Sequence, residues 1–192
     1  MPIDSPDTAI LSARLHVVLN TLSVRFGEFT LASGRKSDFY VDARQTTLNS
    51  EGSSVVAQLM LDRIPPNITA IGGPTMGADP VVSATTATAW ASGRELHGFL
   101  VRKEAKSHGA GRQIEGLGSI PKGSKVCVVE DTTTTGGSLL KALGAIEAAG
   151  LVVAQCITVV DREEGAVERL AEAGYTLEAL TTRSSLEQAR TD

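Results

Sequence analysis

Val126-Cys127-Val128-Val129-Glu130-Asp131-Thr132-Thr133-Thr134-Thr135-Gly136-Gly137-Ser138 is the stretch that decides how this chain folds. Its first four residues are apolar and read as a buried strand. Two acids close the run, then four threonines and two glycines. Beyond them Leu139, Leu140, Leu143 and Ile146 recur at amphipathic-helix spacing. A strand, a turn rich in hydroxyls and glycine, and a helix start together build an anion site. Glycines let backbone N–H groups converge, and the helix N-terminus adds partial positive charge. Thr132, Thr133, Thr134 and Thr135 offer further donors. Glu130 and Asp131 repel an anion, so they must face another part of the same ligand, either sugar hydroxyls or a magnesium ion. A phosphate beside vicinal hydroxyls describes a ribose 5-phosphate. Ordinary cap and turn chemistry accounts for one acid, one threonine and one glycine in such a connection. It leaves two adjacent acids and four β-branched residues unexplained.

Outward from this stretch the chain alternates. Leu11, Leu15, Val18 and Leu22 place a helix over residues 7–25. Phe39-Tyr40-Val41 reads as a short strand, and residues 51–63 as a helix stopped by Pro65-Pro66. A strand over 68–71 runs into Gly72-Gly73-Pro74-Thr75-Met76-Gly77, followed by a small-residue helix over 78–91 and a strand over 97–101. After the central motif come a strand over 152–160, a helix over 163–173 and a strand over 175–180. Such alternation predicts an α/β fold, a mostly parallel sheet flanked by helices. Ligands of such sheets bind beyond the carboxyl ends of the strands, where the unusual loops of this chain fall.

The composition narrows the classes. At 192 residues, 42% hydrophobic and 21% charged, the chain suits one globular domain over residues 1–192. A net charge of −4 disfavours nucleic acid as a partner, and no apolar stretch approaches a membrane span. The acidic N-terminus shows no signal-peptide pattern, so a cytoplasmic location is expected. Cys127 and Cys156 sit in apolar runs and read as buried, reduced core residues. The central loop lacks the Gly-Lys-Ser/Thr of a P-loop and the Gly-x-Gly-x-x-Gly of a dinucleotide site. No Ser/His/Asp or zinc-ligand spacing supports a hydrolase or a zinc centre.

A second polar cluster follows the strand that ends at Val101: Arg102-Lys103-Glu104-Ala105-Lys106-Ser107-His108-Gly109. Three basic side chains and a histidine leave a strand's carboxyl end together, in an otherwise acidic chain, and concentrate positive potential where a polyanion can bind.

These motifs resemble the type I phosphoribosyltransferases, in which an apolar strand leads into two acids and a Thr/Gly-rich phosphate loop. Within that family the likeness is to the members acting on orotate. It rests on the cationic run from Arg102, on Phe29-Thr30-Leu31-Ala32-Ser33-Gly34-Arg35-Lys36-Ser37 and on Asp161-Arg162. The resemblance implies a small N-terminal hood lobe, formed by about residues 1–45, over the sheet. It implies transfer of a 5-phosphoribosyl group from phosphoribosyl pyrophosphate to orotate, with Mg2+, giving orotidine 5'-monophosphate and pyrophosphate in pyrimidine biosynthesis. Lys103, Glu130 and Asp131 would be catalytic. Arg102, Lys103, Lys106, His108 and residues 130–138, with Gly136, Gly137 and Ser138 at the helix start, would hold the diphosphate substrate. Thr134 and Arg162 would contact orotate, the guanidinium suiting its carboxylate. Mg2+ would be held mainly through the substrate. A homodimer with Lys103 reaching the partner's site is implied as well. Ala32 and Met76 stand where lysine is frequent in the family and receive no ligand role. The alternatives are a relative acting on a purine base and a non-catalytic regulator that binds phosphoribosyl pyrophosphate.

Overall fold

A computed structural model describes residues 7–30, 36–104 and 113–191. In chain order the elements are α1 (Thr8–Leu22), β1 (Val24–Thr30), β2 (Lys36–Val41), α2 (Arg44–Thr47), α3 (Ser50–Arg63), β3 (Ala70–Pro74), α4 (Ala78–Ala91), β4 (His97–Val101), β5 (Ile114–Glu115), β6 (Lys125–Thr133), α5 (Gly137–Ala148), β7 (Val152–Asp161), α6 (Ala166–Glu172), β8 (Leu177–Thr182) and α7 (Arg183–Thr191). Six strands form one sheet in the order β5-β4-β3-β6-β7-β8. All pairings in it are parallel except that of the two-residue edge strand β5 with β4.

β6 lies at the centre, and its side chains alternate between two cores as a strand's period requires. Cys127 and Val129 enter the core built with α1, α3, α4 and α7. Val126 and Val128 enter the one built with α5 and α6. Both cysteines are free and buried. Burial drives the Cys127 thiol well above its ordinary range and Cys156 up to about 12, so neither is a nucleophile at neutral pH.

Four elements depart from the sequence reading. The first helix ends at Leu22, where the Ser23 N–H caps the Leu19 carbonyl and the Ser23 hydroxyl meets that of Thr46 at 2.6 Å. The residues beyond it form β1, which pairs antiparallel with β2 in a separate hairpin. Second, β6 runs on through the acids to Thr133, so Thr132 and Thr133 are strand residues and not turn residues. Third, α6 starts at Ala166 and not at residue 163, because Glu163 (φ 58°) and Gly165 (φ 94°) hold left-handed backbone. Fourth, the segment beyond Thr182, where the sequence reading placed no element, is helical. Leu186 is fully buried, and Arg183 binds Asp38 of the hairpin at 2.9 Å. Cationic stacking reinforces this join, with Arg183 over Phe39 and Arg190 over Phe26. The hairpin is thereby fixed above the carboxyl ends of the strands.

Candidate active site

Parallel pairing brings the ends of β3, β4 and β6 to one edge, and a cavity of about 720 Å3 opens there. The hairpin and α2 wall it with Tyr40, Asp42 and Arg44, the loop after β3 with residues 74–77, and the end of β4 with Arg102 and Lys103. Glu130, Asp131, Thr132, Ser138 and Lys141 complete it from β6 and α5. The two acids singled out in the sequence therefore share one space with Arg102 and Lys103, the described cations of the second cluster.

The anion end is the turn into α5. Gly136 caps that helix in the left-handed region (φ 71°) with no side-chain cap, so the first-turn N–H groups are left for a ligand. A Cβ at Gly136 would also stand 2.6 Å from Leu170 Cδ1, which fixes glycine there on two grounds. Thr134, Thr135 and Gly137 shape this turn beside the cavity without lining it. Thr132 lines the cavity, and its hydroxyl oxygen is buried without a partner among the described residues. Thr133 points the other way: its hydroxyl donates to Asp161 Oδ1 at 3.2 Å, so only its main chain remains for an anion. Strand alternation is the reason, and it corrects the reading of four equivalent turn hydroxyls.

Glu130 is only 6% exposed and accepts the Ser138 hydroxyl at 3.3 Å. Burial, and next the neighbouring Asp131 charge, push its pKa up to about 8, against the opposing pull of Ser138 and Lys103. Burial raises Asp131 too, opposed by the Thr132 N–H at 2.8 Å and by Arg44. Arg44, which the sequence reading did not single out, donates to Asp42 at 2.8 Å and is held charged chiefly by it.

A stability consequence follows from Glu130. Its native pKa of about 8 lies above the ordinary 4.5, so between these values the folded protein keeps a proton that the unfolded chain has released. Stability therefore falls as pH rises through this window. In magnesium-free buffer Glu130→Gln should raise the melting temperature at pH 8 but not at pH 4.5, by the equivalent of a few kcal/mol. Melting curves that stay parallel for variant and wild type across that range would contradict the assignment.

Lys103 and Arg102 line the cavity, with the Arg102 N–H bonded to the Gln113 carbonyl at 2.8 Å. Lys106 and His108 lie outside the described residues, as do Ala32 and Arg35. Arg162 does not line the cavity. Its side chain is buried at the end of β7, bonded to the Glu164 carboxylate and to the Phe39 carbonyl, one residue along β2 from the cavity wall at Tyr40.

Comparison with known proteins places this architecture. The phosphoribosyl transferase domain model matches residues 45–178. The orotate phosphoribosyltransferase of Rhodopirellula baltica is 41% identical over 177 residues, covering 88% of this chain and 91% of that protein. The chain belongs to the orotate phosphoribosyltransferases. The Corynebacterium glutamicum member is 45% identical over 175 residues, 91% of this chain and 92% of its own. A crystal structure of the Mycobacterium tuberculosis orotate phosphoribosyltransferase in complex with 5-phospho-α-D-ribosyl 1-diphosphate superposes with a TM-score of 0.76. It is 36% identical and covers 92% of this chain and 99% of that one. In this member of the orotate phosphoribosyltransferases, Asp42, Arg44, Lys141 and the loop at 75–77 join the cavity without having been legible as site residues. Asp42-Ala43-Arg44 matches no motif, and Lys141 reads as one more solvent-facing lysine of α5.

Proposed function

We propose that this chain transfers the 5-phosphoribosyl group of phosphoribosyl pyrophosphate to orotate, giving orotidine 5'-monophosphate and pyrophosphate. One observation carries the reading: a single cavity sets the buried Glu130 and the half-buried Asp131 between an uncapped helix start and the cations Arg102 and Lys103. The N–H groups of residues 134–138 take the 5-phosphate, and the Thr132 hydroxyl finds its missing partner on the same ligand. Glu130 and Asp131 accept the ribose 2- and 3-hydroxyls. As the C1–O bond breaks, its electron pair leaves with pyrophosphate while the ribose C1 becomes positive. The acids stabilise that charge, and Arg102, Lys103, Lys106 and His108 stabilise the departing diphosphate. A ring nitrogen of orotate then forms the C1–N bond and loses its proton.

The oxygen donors present suit Mg2+, which takes one or two carboxylates and completes its shell with substrate oxygens and water. Glu130 and Asp131 are the carboxylates in reach. Among the described residues no cluster of three or more His, Cys, Asp or Glu could enclose a metal alone, so the substrate itself would carry most of the coordination. When bound, the ion neutralises charge on the diphosphate.

Arg162 is the partner for the orotate carboxylate, its guanidinium bonded to the carbonyl of Phe39, the neighbour of the cavity-lining Tyr40. Arg162→Ala should raise the orotate KM about 10- to 100-fold, the range of a lost charge-assisted pair, and leave phosphoribosyl pyrophosphate binding nearly intact. Equal losses for both ligands would remove the assignment. The hairpin serves as the hood lobe, and two protomers assemble so that Lys103 of each serves the other's cavity. Two buried thiols suit the reducing cytoplasm. Among the described residues no helix is long and apolar enough to cross a membrane.

The reaction is tested by following orotate's ultraviolet absorbance on adding phosphoribosyl pyrophosphate and Mg2+. A fall in absorbance with release of pyrophosphate is expected. Consumption of hypoxanthine or adenine with orotate untouched would assign a purine-directed activity instead.

A further inference from the structure

The guanidinium read as the orotate contact already holds a carboxylate from its own chain. Glu164 Oε1 accepts from Arg162 Nε at 2.8 Å and from Nη2 at 2.7 Å, and Nη2 also reaches the Phe39 carbonyl at 3.3 Å. The pair is asymmetric: the Arg162 side chain is 9% exposed and that of Glu164 27%, so Glu164 occupies the more open side of the pair.

The backbone between them is built to bring Glu164 back onto Arg162. Glu163 sits at φ 58°, which a side-chain-bearing residue seldom adopts without support. Support is present on both sides. The Glu163 N–H donates to Asp161 Oδ1 at 3.1 Å. Its carboxylate accepts the Ser184 N–H at 2.8 Å and the Ser184 hydroxyl at 2.6 Å, at the start of α7. This turn reverses the chain directly after Arg162, and Glu164 emerges facing it.

We propose that Glu164 sets the affinity for orotate: it is a resident carboxylate that orotate's carboxylate must displace from Arg162. The proposal rests on the reading of Arg162 as the orotate contact. Exchange of one carboxylate for another keeps a buried guanidinium paired before and after binding, so the free protein holds no isolated buried charge. Displacing Glu164 costs the Arg162–Glu164 pair, so the resident carboxylate weakens orotate binding relative to a chain without it.

The test is Glu164→Gln in the full chain, with KM for orotate and for phosphoribosyl pyrophosphate measured at saturating co-substrate and Mg2+. A melting curve serves as the folding check. Glutamine keeps an acceptor for Arg162 but gives up the charge. The orotate KM should fall about tenfold and the phosphoribosyl pyrophosphate KM should stay unchanged. An orotate KM that is unchanged or raised would overturn the proposal and make Glu164 a permanent brace for Arg162. Should the glutamine variant fail to fold, Glu164→Asp is read in its place. It is one methylene too short to reach Nε and Nη2 together, and the same fall is expected. Arg162→Ala separates the two levels of inference. A selective orotate defect there without tightening in Glu164→Gln removes only the displacement proposal, whereas equal losses for both substrates remove the reading beneath it.

Discussion

Lys103→Ala lowers turnover about 100- to 1,000-fold, the usual effect of removing one preorganised group that stabilises developing charge. The KM for orotate should barely move, because Lys103 acts where negative charge accumulates on the departing diphosphate. In the single chain Lys103 lines its own cavity and opposes the rise in the Glu130 pKa, and the proposed dimer would offer the same charge to the partner's cavity. Steady-state kinetics give both constants, and near-normal turnover would withdraw the role. The same variant tests the proposed exchange of lysines between protomers. Mixed with Asp131→Asn protein, which is inactive for a different reason, Lys103→Ala should recover part of the wild-type rate through hybrid dimers holding one intact cavity. Strictly additive activity of the two preparations would refute the exchange and keep Lys103 in its own chain's cavity, where the single chain holds it.

The second large effect comes from a single methyl group. At Gly77 an added Cβ would overlap Asp131 Oδ1, and would stand 2.7 Å from Asp131 Cγ and 3.0 Å from Glu130 Oε1. The loop at 75–77 therefore lies directly on the two acids, and glycine is what permits the approach. Asp131 can yield to that methyl only by giving up its bond to the Thr132 N–H at 2.8 Å. Gly77→Ala should displace the carboxylate and reduce kcat/KM for phosphoribosyl pyrophosphate on the order of 100-fold, as for other losses of a preorganised group. Gly144→Ala is the matching control. That glycine lies in α5, and a methyl added there would meet nothing within 4 Å, so alanine should leave activity intact and stabilise the helix by about 1 kcal/mol. Equal activity for the two variants would show that the contact with Asp131 has no bearing on the reaction.

The central strand was legible because Val126 to Val129 are apolar on both faces, a pattern that only an interior strand of a covered sheet needs. The acids and glycines after it were legible as a ligand site because cap chemistry needs fewer of them. The end of the strand was not. Threonine serves a turn or a strand equally, and pairing of Thr132 and Thr133 with Val160 and Asp161 decides for the strand. The hairpin was half seen, since the amphipathic pattern of α1 extends past Leu22 and hides the partner of Phe39. Arg44 and Lys141 join the site only through the tertiary arrangement of hairpin, loop and helix, for which a single sequence carries no local signal. Arg162 could be picked out as a strand-end arginine, but its pairing with Glu164 depends on a left-handed glutamate, and nothing in Arg162-Glu163-Glu164-Gly165 announces that turn.

Calorimetric titration of phosphoribosyl pyrophosphate, with Mg2+, into the wild-type protein and into Asp131→Asn bears most directly on the claim that this cavity grips the activated sugar. One site per chain is predicted for wild type, with affinity reduced at least about tenfold in the variant, as expected for a lost hydrogen bond to a charged group. Identical heats from both proteins, or no binding to either, would contradict it.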